Sequence, residues 1–193
     1  MDYTTRLTLM ERLKSSDNEN SWEEFIVNYK GFIYSIVRAQ KVSPDQIDDI
    51  IQDVLLSVWK NLPGFEYDRS KGRFSSWLAT ITINKVRSRQ LKNSRQSARD
   101  HKAYEQQEKT DQGELGEMIS REWAAFLTER SWDKIKDELS EPMKLCFEGF
   151  MEGKMIRTIA AKLGIPENTV SVYKKRVSVI MKREINRLQN ELD

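Results

Sequence analysis

The chain has 193 residues, of which 32% are charged, yet its formal net charge is only +2. That length gives room for one ordinary domain or two small helical ones, and so balanced a charge means that any nucleic-acid signal must lie in how the charges are distributed. One cysteine, Cys146, and one histidine, His101, exclude a disulfide framework and an all-protein Cys/His zinc site.

The N-terminus lacks the basic, then apolar, then small-residue order of a signal peptide, and no run of about 18 apolar residues offers a membrane span, so a cytoplasmic protein is expected. Helical spacing recurs along the chain without a convincing alternating strand pattern, which predicts an all-α fold. Thr5, Arg6, Leu9, Arg12 and Leu13 suit a short first helix. Asn20 or Ser21 is placed to cap the next, whose apolar face runs Trp22, Phe25, Ile26, Tyr29, Ile33, Ile36 and Val37. Pro44 opens another with Ile47, Ile50, Ile51, Val54, Leu55, Val58 and Trp59 on its apolar side, and Pro63-Gly64 ends it. Phe65 to Arg73 reads as a turn-rich loop, and Ser75 or Ser76 stands near the start of a helix bearing Trp77, Leu78, Ile81 and Val86.

From about Ser94 to Gly113 the apolar periodicity disappears, which suits a solvated linker or a weakly held helix. The expected plan is therefore an N-terminal domain over 1–94, a linker over 95–117 and a C-terminal domain over 118–193. Met118, Trp123, Phe126, Leu127, Trp132, Ile135 and Leu139 lead into the latter. Ser140-Glu141-Pro142 starts a helix carrying Met143, Cys146, Phe147, Phe150 and Met151 and stopping at Gly153. In that apolar setting Cys146 is expected to be a small buried residue. A second helix covers Ile156 to Leu163 and closes at Gly164, and after Ile165-Pro166-Glu167 a third begins near Asn168.

Those last two helices have the features of a helix-turn-helix: a small residue at the crossing, Ala160; a turn residue tolerant of positive φ, Gly164; and an apolar inner stripe, Val170 and Val177. Asn168, Thr169, Ser171, Tyr173, Lys174 and Lys175, with Arg176 beside them, then form the face for a DNA major groove and its phosphates. A helical hairpin with a solvated basic face is the plainer alternative. A second basic stripe, Lys85, Arg87, Arg89, Lys92, Arg95 and Arg99, suits phosphate binding without sequence reading. Beside it stand Phe65, Tyr67, Phe74 and Trp77, either core residues or a platform for unpaired bases. Asp48, Asp49, Gln52 and Asp53 share one helix face. They suit a docking face for a basic partner, or simply a solvated surface, better than a metal site, for which no second acidic cluster paired with His or Cys is present.

Asp48-Asp49-Ile50-Ile51-Gln52-Asp53-Val54, followed by Gly72-Arg73-Phe74-Ser75-Ser76-Trp77-Leu78 and Ile81 to Asn84, resembles the acidic helix, loop and Trp-Leu helix of bacterial RNA polymerase sigma factors of the extracytoplasmic function type. The likeness spans nearly the whole chain, the C-terminal module resembling the family's second domain. It implies an activity without catalysis and without a cofactor or metal, in which the factor, as a monomer, lends core RNA polymerase its promoter specificity. Asp48, Asp49, Gln52 and Asp53 match positions that dock on the clamp helices of the largest subunit. Phe65, Tyr67, Lys71, Arg73 and Asn84 become candidates for capturing a flipped base of the −10 element, with Trp77, Lys85, Arg87 and Arg89 completing that DNA surface, while the helix-turn-helix holds the −35 element. The resemblance also implies a nucleoid-associated protein, and many members are restrained by an anti-sigma factor. The chain departs from the family's usual residues at Ser88, Met155, Thr158 and Ser171. Two other classes compete with this reading: a helix-turn-helix regulator that binds duplex DNA independently of the polymerase, and a metal-dependent nuclease built on the acidic helix.

Overall fold

The computed structural model describes Arg12, Leu13 and residues 19–62, 72–96 and 112–193. Seven α-helices lie among the described residues: α1 (Glu19–Ala39), α2 (Pro44–Asn61), α3 (Phe74–Gln96), α4 (Gln112–Ile135), α5 (Glu141–Met151), α6 (Ile156–Leu163) and α7 (Glu167–Leu192), with a 3-10 turn at Lys136–Glu138. No strand occurs among the described residues, so the all-α expectation is met. The chain divides into two compact units, residues 1–126 together with 191–193, and residues 127–190. Of the stretch expected as linker, 112–117 belongs to α4, and 97–111 lies outside the described residues.

In the first unit α1, α2 and α3 pack mutually. The α1 stripe is Phe25, Tyr29, Phe32, Ile33, Ile36 and Val37, all fully buried. Burying side chains of this size stabilises by roughly 1.5–3 kcal/mol each relative to leaving them in water. The helix begins at Glu19, ahead of the Asn20 or Ser21 expected to cap it, and Ser21 is itself buried inside it. Against this stripe α2 sets Ile50, Ile51, Val54 and Val58. Trp59 does not join that core: it is 49% exposed, although its ring meets that of Trp22 edge-on at 5.0 Å. From α3 come Phe74, Ser75, Leu78, Ala79, Thr82, Ile83 and Val86, where Ile81 is only half-buried. Small or hydroxylated positions at this face let the helices approach closely, and the buried Thr82 hydroxyl donates to the Leu78 carbonyl at 2.9 Å, so it is not left without a partner.

The same unit includes Trp123 and Phe126 of α4, whose rings meet Phe32 at 4.8 and 5.9 Å. A Cβ on Gly31 would stand 3.1 Å from the Phe126 ring, which accounts for a glycine there. Leu13 is buried and Arg12 pairs with Glu24 at 2.6 Å; Thr5, Arg6 and Leu9 of the same expected helix lie outside the described residues. Residues 191–193 also belong here. The buried Tyr29 hydroxyl donates to the Leu192 carbonyl at 3.1 Å, and the Ser75 backbone N–H donates to the Asp193 carboxylate at 3.0 Å.

The second unit has two apolar clusters. Trp132, Ile135, Val177 and Met181 form one, with Leu139, Met143, Phe147, Ile180 and Ile185 around it. Cys146, Ile159, Ala160 and Val170 form the other, with Phe150, Ile156, Leu163, Ile165 and Tyr173 around it. Alongside the first, Glu184 is clasped by Arg187 at 2.8 Å and by Lys134 at 3.4 Å, and these contacts hold its carboxyl below the usual glutamate range against the opposing cost of its burial.

Burial pushes the Cys146 thiol up from its ordinary value. The contact that brings α5 and α6 together is at Gly149, where an added Cβ would stand 2.9 Å from Cγ1 of the buried Ile159. Valine at that position has no room and should cost roughly 1–3 kcal/mol, as overpacking of a closed core does. Because Cys146 is the only thiol and is buried in this unit, its alkylation rate reports the unit's opening. Gly149→Val should therefore speed labelling of Cys146 by a thiol reagent under native conditions by about 5- to 150-fold, read by mass spectrometry over time. Labelling at the unaltered rate would show that the α5–α6 contact tolerates the added bulk.

Candidate functional site

Pro44 follows an extended Ser43 and starts α2, and the buried Ile50-Ile51-Val54-Val58 stripe then forces the intervening polar residues outward. Asp48, Asp49, Gln52 and Asp53 are all exposed, with the Asp49 and Asp53 side chains 62% and 50% accessible. The structure thus brings the acidic set together on one solvent-facing surface. Among the described residues no group of three or more His, Cys, Asp or Glu could hold a metal ion.

The acidic face does not stand alone. Arg89, forty residues further along on α3, donates to Asp49 at 2.8 Å and lies 3.9 Å from Asp53. Its partners are a turn apart on α2, so one guanidinium spans both carboxylates. An exposed pair of this kind contributes roughly 0.2–1 kcal/mol to folding.

The remaining basic and aromatic candidates of the first unit distribute as follows. Asn84 is exposed and Lys85 and Arg87 are half-buried on α3, while Ser88 donates to the Asn84 carbonyl at 2.8 Å. Arg73, just before α3, is exposed and lies 3.8 Å from Asp193. Phe74 is fully buried against Phe25 and Tyr29, with Trp77 half-buried beside it at 5.2 Å. Of the aromatic set, Phe74 is therefore a core residue. Phe65, Tyr67 and Lys71 lie outside the described residues, as do Arg99 and the side chain of Arg95.

In the second unit, α6 ends at Gly164, whose φ of 65° lies in the left-handed region. The following Ile165 N–H turns back to the Ala160 carbonyl at 3.2 Å, closing the helix before Pro166. Helix α7 then buries Val170 and Val177 completely, as the inner stripe requires. That register decides which side chains face out. Asn168, Ser171, Lys175 and Arg176 are exposed, and Thr169 is half-buried at the flank. Tyr173 is also half-buried: three residues after Val170, it packs on the Cys146-Ile159-Ala160-Val170 cluster. Lys174 sits beside it on the helix and holds its ammonium 4.5 Å over the Phe150 ring. The residue that a search for polar groups passes over is Val172, 46% exposed between Ser171 and Lys175, with Val179 63% exposed two turns on.

If the outer face of α7 meets phosphate, Lys175 and Lys174 should separate. Lys175→Ala should reduce the slope of log affinity against log salt by about 1 for duplex DNA, and equally for all sequences. Lys174→Ala, whose ammonium is already engaged by Phe150, should change that slope by much less. Anisotropy titrations of the full chain over a salt series measure both, and equal slope changes would mean that Lys174 leaves Phe150 for the DNA.

With this geometry in place, residues 25–96 match the family model of Sigma-70 region 2, and residues 137–184 match that of bacterial regulatory proteins of the luxR family. The first match runs from within α1 to the end of α3, and the second from within the 3-10 turn into α7. An ECF RNA polymerase sigma factor, SigK of Mycolicibacterium vanbaalenii, is 29% identical over 98 residues, which are 49% of this chain and 49% of the relative. The chain thus spans about half the length of the curated relative it matches. The solved structure of CnrH in complex with the cytosolic domain of CnrY superimposes with a TM-score of 0.39 at 18% identity, covering 96% of this chain and 99% of that one.

Proposed function

We propose that the chain is a sigma factor of the extracytoplasmic function type, a reading that the Sigma-70 region 2 match and the likeness to SigK support, and that it binds core RNA polymerase and directs promoter-specific initiation of transcription. The observation that carries the reading is the solvent-facing acidic set of α2, held against a helix with a basic stripe inside the region-2 match. Asp48, Asp49, Gln52 and Asp53 offer charge and hydrogen-bond acceptors to basic side chains of the polymerase clamp helices. Lys85, Arg87 and the residues before α3, among them Arg73, supply positive potential for the strand of the −10 element. Unstacking a base costs a few kcal/mol, which contacts at Phe65, Tyr67, Lys71, Asn84 and Trp77 would offset.

The −35 element falls to Asn168, Ser171, Lys175 and Arg176 on the outer face of α7, with Thr169 at its edge. Val172 adds an apolar contact of the kind that a thymine methyl group accepts. Nothing in this reading asks the protein to make or break a covalent bond; its contribution is positioning. It would act as a monomer wherever the polymerase is, in the cytoplasm on the nucleoid. No described helix is long and apolar enough to cross a membrane. A regulator that binds duplex DNA alone would leave the Sigma-70 region 2 match over 25–96 without a task.

Reconstitution tests this directly. Purified chain added to sigma-free core polymerase on a genomic fragment library should yield transcripts whose start sites share two spaced upstream motifs. Absence of stimulation, with dimeric binding to duplex DNA instead, would overturn the reading in favour of an independent regulator. Within the reading, Asp49→Lys should lower affinity for core polymerase roughly tenfold or more, because it reverses a charge at the centre of the docking face. Its folding should be little affected, since Asp49 is a surface residue, and a urea titration beside the binding measurement checks that. Unchanged polymerase binding by this variant would remove the docking role from α2.

A further inference from the structure

We propose that Arg89 is the internal occupant of the acidic face: a basic group of the partner must displace it, and an anion that draws it away strengthens docking. The inference rests on the docking role proposed for α2. Three facts support it. The guanidinium reaches both Asp49 and Asp53, at 2.8 and 3.9 Å. Its side chain is 31% accessible, open enough to be exchanged. It also stands on α3 among the basic residues Lys85, Arg87 and Lys92, where a phosphate backbone would compete for it with charge-assisted hydrogen bonds of the same kind.

The consequence is a coupling carried by a single side chain. With Arg89 in place, the carboxylates that a basic partner would engage are partly neutralised. When phosphate takes Arg89, Asp49 and Asp53 regain their full charge, and by reciprocity polymerase bound at α2 releases Arg89 toward DNA. The two ligands of this unit would then reinforce each other without a change of fold. An exposed ion pair limits the size of the effect to about two- to fivefold in affinity.

Docking and occupancy predict opposite signs for one substitution, which makes the inference testable. The full chain is titrated onto core polymerase without DNA, as wild type, Arg89→Ala, Arg89→Gln and Lys30→Ala. Both Arg89 variants should bind about two- to fivefold more tightly than wild type. Lys30→Ala, which removes an exposed positive charge from α1 outside the pair, should match wild type. Arg89 variants that bind equally or more weakly would overturn the inference and make Arg89 a neutral or supporting group. A gain shared by Lys30→Ala would also overturn it, by reducing the effect to net charge. Arg89→Gln keeps most of the side chain's length and so keeps the measurement readable should the alanine variant lose stability. Failure of the proposed function is separable, because then the wild-type chain itself does not bind the polymerase.

Discussion

Phe74 is held edge-on between Phe25 and Tyr29 at 6.3 and 5.1 Å, and the register of α3 follows from that contact. With the first residue of the helix fixed in the aromatic core, the 3.6-residue period carries Leu78, Thr82 and Val86 inward. The same period places Asn84 and Ser88 in solvent and swings Arg89 over α2. A slip of one residue would rotate the helix by about 100° and separate Arg89 from Asp49 and Asp53. The electrostatic arrangement of the surface is therefore set by an apolar contact at the far end of the helix. It is also an arrangement no single segment specifies, since the acidic and basic residues lie forty positions apart.

This explains what could and could not be read in the sequence. Helix existence was legible because the apolar spacing in α1, α2 and α5 is regular and because Pro44, Pro142, Gly153 and Gly164 punctuate it. The face of α3 was less so. Its inner stripe includes Ser75, Ala79 and Thr82, which an apolar count passes over, while Ile81 and Trp77 attract attention from positions that are only half-buried. Trp59 misleads in the same way, being apolar, in phase with its neighbours and yet on the surface. Asn20 and Ser21 are good caps by residue type, yet α1 begins at Glu19 and packs Ser21 inside it.

At the candidate site the same logic separates composition from register. The acidic set was legible as one face because all four residues lie within two turns of a single helix. On α7 the basic run suggested a continuous surface, but three consecutive residues of a helix cannot share a face. Val170 and Val177 fix the inner stripe, so Tyr173 packs half-buried against the core and Lys174, though exposed, reaches Phe150, whereas Lys175 and Arg176 are exposed without that contact. Val172 is the complementary case. Apolar residues are read as core, and only the register shows this one in solvent. The Gly149–Ile159 contact had no sequence signal of its own, since a glycine within a helix is equally a weak point and a place of close approach.

Read as a sigma factor, the molecule distributes its task over contacts that are individually modest. Exposed charge pairs and phosphate contacts are each worth little in salt. Selectivity under those conditions has to come from summation. Joining two weak readers by one chain makes the second contact effectively intramolecular, and the gain falls away when the two DNA elements lie at the wrong spacing. An internal competitor such as Arg89 fits that economy, because a face that is partly neutralised when no DNA is present binds basic partners less readily, and regains its charge where both ligands meet. Weakness at each contact is then what allows the combination to discriminate.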